Sequence, residues 1–203
     1  MINRQLLRPN QIAVIGGSNN LHKPGGKVLQ NLIQNQFKGE IFPVNPKEDK
    51  VQGLPCYHHS RDLPEIVDLA FLAIPAKICP ETIRILANEK QTRAFIVLSA
   101  GFSEENEEGA RLEQEMTDIV NEVKGVMIGP NCVGVINQSY KGIFTSPAPE
   151  IDPQGADFIS ASGGTAVFII ESGLPKGLRF ASVYSIGNSA QTGVEDILES
   201  MDK

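Results

Sequence analysis

The sequence is short of the residues that metal centres and disulfide frameworks need. Its three cysteines, Cys56, Cys79 and Cys132, lie far apart with no C-x-x-C pair, and its only histidines are His22, His58 and His59. No metal-ligand spacing emerges from them, and reduced thiols in a cytoplasmic protein are the expectation. Basic residues are in deficit too: 18 Lys and Arg against 24 Asp and Glu give a formal charge of −6. That balance argues against a general nucleic-acid binder but leaves room for a local basic pocket holding an anionic ligand. No run approaches the ~18 apolar residues of a membrane span, and the opening MINRQLLRPNQ has no apolar core of a secretion signal.

What is present is an ordinary globular composition, 41% hydrophobic and 21% charged over 203 residues, enough for one domain or two small ones. The organising stretch is IAVIGGSNNLHKPGGKVLQNL, residues 12–32. Three β-prone residues run into Gly16-Gly17, a polar loop follows, and Gly25-Gly26 opens a helical pattern with Val28, Leu29, Leu32 and Ile33 on one face. A strand, a glycine-rich loop and a helix N-terminus together favour a phosphate-bearing ligand. The spacing is neither the G-x-G-x-x-G of a dinucleotide site nor a P-loop closed by Lys-Ser/Thr. By itself the loop is also compatible with a plain tight connection.

Residues 1–10 read as a polar lead. Ile41–Val44, Val67–Ile74, Ala94–Ser99 and Val126–Ile128 read as further strands; Asp62-Leu63-Pro64-Glu65 resembles a helix start. Helices are expected from about Pro80 to Lys90 and from Ser103 to Lys124, the latter opened by an acidic turn containing Glu104, Glu105, Glu107 and Glu108. This alternation predicts β-α-β units and a mostly parallel sheet, with ligands at the carboxyl ends of the strands. Those ends carry Gly16-Gly17-Ser18, Val44-Asn45-Pro46-Lys47, Ile74-Pro75-Ala76, Ser99-Ala100-Gly101 and Gly129-Pro130-Asn131. The three prolines of Thr145–Gly155 mark a linker. Beyond it come a strand at Ala156–Ser160, a helix opened by Ser162-Gly163-Gly164-Thr165, a strand at Phe180–Ser185 and a helix from Gly193 to Met201. Two β-α units are few for an open parallel sheet, so the second domain reads as truncated.

With the turns collected, residues 12–140 resemble the coenzyme A-binding domain of the nucleoside-diphosphate-forming acyl-CoA synthetases, the superfamily of the succinyl-CoA synthetase α subunit. The matching stretches are IAVIGGS, KPGGKVLQNL, GEIFPVNPK, DLAFLAIPA, SAGFSE and GPNCVGVIN, in that order. Residues 156–200, with SASGGT and SIGNSAQTGVEDIL, resemble the start of the family's flavodoxin-like second domain. The resemblance implies an α/β fold: a Rossmann-like CoA-binding domain over 1–146, followed by the N-terminal part of the second domain over 147–203.

It also implies CoA contacts at Gly16, Gly17 and Ser18, at Val44, Asn45 and Lys47, and at Ile74, Pro75 and Ala76. The residues agree: backbone N–H groups at 16–18 suit phosphate, Lys47 adds a charge, and Ile74-Pro75 offers an apolar wall. A phosphate site is implied at Asn131, Ser162, Gly163, Gly164 and Thr165, where plain N-capping by Ser162 is the alternative reading. The activity implied is conversion of acyl-CoA, phosphate and NDP, most simply ADP, to acid, CoA and NTP. It runs through an acyl phosphate and a phosphohistidine, with a small carboxylic acid as substrate and ADP, ATP and Mg2+ held by a separate ATP-grasp partner.

The family's histidine lies later than residue 203, so no catalytic residue is expected in this chain. His22 sits in the ligand loop, while His58-His59 reads as a solvated surface pair. Cys132 reads as a buried small residue rather than a nucleophile. Two alternatives stand beside the synthetase: a non-catalytic CoA-binding regulatory module, and an NAD(P)-binding Rossmann protein. Against the second, no acidic residue closes the second strand to hold a ribose hydroxyl.

Overall fold

A computed structural model describes residues 2–145 and 148–201. The first unit comprises α1 (Arg4–Leu7), β1 (Gln11–Ile15), α2 (Pro24–Gln34), β2 (Glu40–Val44), the short strands β3 (Lys50–Val51) and β4 (Leu54–Pro55), β5 (Leu69–Leu72), α3 (Cys79–Glu89), β6 (Ala94–Val97), α4 (Glu107–Glu122) and β7 (Val126–Ile128). Strands β1, β2, β5, β6 and β7 form one wholly parallel sheet in the order β2-β1-β5-β6-β7.

The alternation of each strand sends successive side chains to opposite faces. Ile12, Val14, Leu69, Phe71 and Ile96 meet Val28, Leu29 and Leu32 of α2 on one side. Ala13, Ile15, Ala70, Leu72, Phe95 and Val97 meet the inner faces of α3 and α4 on the other, through Ile83, Leu86, Met116 and Ile119. Every residue of β5 and β6 is buried, as two-faced apolar strands between helix layers must be. Each such aliphatic side chain contributes roughly 1.5–3 kcal/mol of transfer free energy.

A second sheet contains β8 (Gly134–Ile136), β9 (Lys141–Ile143), β10 (Ile151–Ser160) and β11 (Phe180–Ser185), in the order β10-β11-β8-β9. Strands β10 and β11 are parallel, whereas β8 pairs antiparallel with both β11 and β9. This explains how two β-α units form a sheet: a hairpin from before residue 146 supplies the missing strands. It is flanked by α5 (Gly163–Gly173) and followed by α6 (Val194–Met201). Buried Asn31 of α2 donates to the carbonyls of Ile143 at 2.5 Å and Thr145 at 3.1 Å, tying the hairpin edge to the first unit.

Several local expectations change. Residues 4–7 form a helical turn with Leu6 buried, not a featureless lead. No helix starts at Asp62–Glu65. A 3-10 turn at Ser60–Asp62 ends there, because Leu63 is extended (φ −60, ψ 157), as a residue before proline prefers. The acidic run is split: Asn106 caps α4, so only Glu107 and Glu108 lie in its first turn. Ile151–Gly155 belong to β10, where an irregularity places both Ile151 and Ala156 opposite Phe180; residues 146 and 147 of the expected linker lie outside the described residues.

Candidate functional site

The chain leaves β1 for β2 on one side and returns to β5 on the other, so a crevice opens between the carboxyl ends of β1 and β5. Its walls approach closely. Gly16 has φ +86, and a Cβ there would collide with the Ala73 carbonyl; one at Gly25 would collide with the Gly16 carbonyl. Strand end, loop and α2 thus lock together through three backbones that tolerate no side chain at two positions.

The loop's hydrogen bonds correct one expectation. The N–H groups of Gly16 (2.9 Å) and Gly17 (3.2 Å) both donate to the Val44 carbonyl, so they serve the β1–β2 junction and not a ligand. Asn45 is similarly engaged: its Nδ2 donates to the Gly17 carbonyl at 2.8 Å and its Oδ1 accepts from the Lys47 N–H at 3.0 Å. Asn45 therefore positions the glycine loop. Ser18 Oγ accepts from the Asn20 N–H, leaving the Ser18 N–H as the one donor of the triplet with no acceptor among the described residues. The start of α2 supplies the others. Lys23 makes no side-chain cap, Pro24 has no N–H, and the first helical N–H groups are those of Gly25 and Gly26. Lys47 is exposed beside this loop.

Three cavities run along this sheet edge. The first, about 370 Å³, is floored by Ile15, Val44, Ile74, Ile78 and Ile85, with Gly16, His58, His59 and Lys77 also on its walls. A second, about 270 Å³, is lined by Pro24, Ala73, Ile74, Pro75, Leu98 and Ser99. The third, about 450 Å³, is reached past Leu98 and lined by Asn131, Ser162, Gly163, Gly164, Phe144 and Asn188, among others. Ile74 is common to the first pair and Leu98 to the second, so the three cavities are neighbours along this edge. Ser99 Oγ fixes the middle by accepting from the Ile74 N–H (3.1 Å) and donating to the Ile74 carbonyl (2.5 Å).

Of the residues singled out from sequence, Gly16, Val44, Ile74 and Pro75 line these cavities, and Asn131 and Ser162–Gly164 come together although they are far apart in sequence. Ala76 begins the turn into α3. The Thr165 N–H is held by the Ser162 cap at 3.2 Å, which leaves its exposed hydroxyl as the donor it can offer. His22 is exposed in the loop. Cys132 is buried, its thiol pushed up to about 12 by burial and 3.3 Å from the Val97 carbonyl.

Sequence reasoning did not single out Lys77; His58 and His59 are exposed, as expected of a solvated surface pair, and they also lie on the wall of the first cavity. Tyr57 pairs with the end of β2 as an isolated parallel bridge to Val44, with Tyr57 N–H donating to the Pro43 carbonyl and Asn45 N–H to that of Tyr57. That bridge carries the two histidines to the first cavity. The available signal was Tyr57 itself, an aromatic beside a histidine pair, which packs edge-on against Phe42 at 6.0 Å.

A model described as the CoA binding domain matches residues 10–138. The chain belongs to the CoA-binding domain family. This CoA-binding chain is 40% identical over 200 residues to a trans-feruloyl-CoA synthase, FCS1, from an unknown prokaryotic organism, covering 96% of the chain and 28% of that protein. It is 35% identical over 193 residues to the α subunit of an ADP-forming acetate–CoA ligase II from Pyrococcus furiosus, covering 94% of the chain and 41% of the relative. It therefore spans well under half the length of these relatives. Among solved structures, the dinucleotide-forming acetyl-coenzyme A synthetase 1 of Ca. Korarchaeum cryptofilum, in complex with phosphate and ADP, superposes with a TM-score of 0.90 at 28% identity. That match covers 98% of this chain and 42% of that one. Among the described residues, no helix is long and apolar enough to cross a membrane.

Proposed function

We propose that this chain is the CoA-binding, α-type portion of an ADP-forming acyl-CoA synthetase. The observation that carries the reading is the row of three cavities sharing Ile74 and Leu98, because CoA is an elongated ligand with an aromatic head, charged phosphates, an apolar arm and a reactive thiol. Adenine fits the apolar first cavity, and the pyrophosphate fits the donors at Ser18, Gly25 and Gly26 with Lys47 as a point charge. The arm follows Ile74-Pro75 past Ser99. The thiol then arrives beside Asn131 and the α5 N-terminus, where the Gly163 and Gly164 N–H groups can hold a phosphate.

There a phosphate oxygen attacks the thioester carbonyl, the C–S bond breaks, and acyl phosphate and CoA leave. Phosphoryl transfer to a histidine and then to ADP is the work of residues beyond those of the CoA domain and of an ATP-grasp partner that holds Mg2+. The acid released is a small carboxylic acid. Residues 1–146 are the CoA-binding unit and 147–203 belong to the next, with β8 and β9 crossing over to its sheet.

Calorimetry tests the assignment. CoA should bind, and Lys47→Ala should weaken it by about 1–3 kcal/mol, the range of a hydrogen bond to a charged group. Unchanged affinity removes Lys47 from the site, and NADH binding tighter than CoA refutes the assignment.

A further inference from the structure

CoA differs from its dephosphorylated precursor, and from most other adenine nucleotides, by a phosphomonoester on the ribose 3′ oxygen, a group carrying about −1.5 to −2 charges near neutral pH. The donors of the glycine loop and α2 are matched to the pyrophosphate in the reading above, so they leave this third phosphate unaccounted for. The first cavity holds unassigned positive and donor groups. Resting on the CoA reading, we propose that Lys77 and His59 on the rim of this cavity recognise the 3′-phosphate, making them the residues by which the chain selects CoA over dephospho-CoA.

Three observations carry this. Lys77 lines the cavity, is exposed, and forms no hydrogen bond or ion pair with any described residue, in a protein whose formal charge is −6. His59 Nδ1 accepts the Arg61 N–H at 3.0 Å, which places the ring hydrogen on Nε2 and leaves that nitrogen a donor. The charge that would oppose an anion is already engaged. Glu81, the carboxylate on the cavity wall, pairs with Arg61 at 3.5 Å and Arg84 at 3.8 Å, and Asp62 accepts the His59 N–H at 3.1 Å. Asp49 pairs with His58 Nε2 at 3.0 Å, so His58 is the less available of the two imidazoles. No acidic residue closes β2, where Val44-Asn45-Pro46-Lys47 stands; a carboxylate there would suit a bare ribose and repel a phosphorylated one.

The test compares CoA and dephospho-CoA by calorimetry on the 203-residue chain and on two variants. Lys77→Gln keeps most of the stem, and His59→Asn keeps a capping side chain for the turn while removing the Nε2 donor. CoA should bind the unaltered chain at least tenfold tighter than dephospho-CoA, as expected of charge-assisted hydrogen bonds. Each variant should lose most of that preference by weakening CoA alone. If the unaltered chain binds the two ligands equally, or if the variants weaken both alike, the 3′-phosphate assignment is overturned while CoA binding stands. If neither ligand binds, the CoA reading fails and takes this assignment with it.

Discussion

Gly16, Gly53 and Gly177 share the same φ of +86, which permits a clean separation of backbone strain from steric collision at the site. An alanine Cβ at Gly53 or Gly177 meets nothing within 4 Å, whereas at Gly16 it runs into the Ala73 carbonyl and lies 3.1 Å from Ile74 Cγ2. Forcing an L-residue into the left-handed region costs roughly 1–2 kcal/mol. Overfilling a packed junction adds about 1–3 kcal/mol. Gly53→Ala and Gly177→Ala should each lose about 1–2 kcal/mol, and Gly16→Ala about 2–5 kcal/mol, measured by urea unfolding with the m-value unchanged. Gly25→Ala, at a position without a positive φ but against the Gly16 carbonyl, should lose the collision part alone. In the double variant both collisions involve residue 16, so the losses should fall short of additivity. Equal losses for Gly16→Ala and Gly53→Ala would refute the close packing of β1 on β5 and, with it, the argument that this crevice is held to one shape.

Alkylation of the native chain should modify Cys56 first, because burial pushes the Cys79 and Cys132 thiols up to about 12, whereas Cys56 is only half-buried; mass-mapped labelling of Cys132 at pH 8 without unfolding would contradict its packing. Asn188→Ala should destabilise near pH 7 by releasing Glu104, which accepts Asn188 Nδ2 and the Gly101 and Phe102 N–H groups. Partial burial pushes the Glu104 pKa up, but these hydrogen bonds outweigh it and the net shift is downward. The bonds therefore stabilise the fold above the ordinary glutamate range and lose that effect as pH falls through the lowered value. The difference between Asn188→Ala and the unaltered chain should shrink on titration toward pH 3, and a difference that grows would refute the linkage. Incubation with labelled ATP should give no acid-labile phosphoprotein, and label mapping to His22, His58 or His59 would overturn the proposed phosphoryl route.

The parallel sheet was legible because Leu69–Leu72 and Ala94–Val97 are apolar on both faces, which only a strand sandwiched between helix layers requires. Helices α2 and α3 were legible from their buried stripes and from proline at the start of each. What escaped was short or cooperative. Strands β8 and β9 have three residues each, too few to show a period, and exist because β11 and α2 offer them partners. The α1 turn rests on Leu6 burial and on Asn3, whose Oδ1 accepts the Leu6 N–H while its Nδ2 donates to the Arg93 carbonyl, a contact spanning 90 residues that no local pattern signals.

The site shows the same division between residue type and hydrogen-bond accounting. Glycines at 16 and 17 suggest phosphate donors to anyone reading the sequence, yet a backbone N–H can serve a ligand only if the fold has not already claimed it. Here the Val44 carbonyl claims both, and Gly16 is needed for another reason: the Ala73 carbonyl occupies the space its side chain would fill, as the Gly16 carbonyl does at Gly25. Gly16 and Gly25 thus let β1, β5 and α2 approach one another, and the Gly25 and Gly26 N–H groups at the start of α2 are left without an acceptor among the described residues. In the proposed CoA site the second glycine pair and Ser18 supply the anion donors, while the first pair supplies shape. Replacing Gly17, whose Cβ would lie 3.1 Å from Pro43 Cβ, should accordingly cost stability before it costs selectivity between ligands.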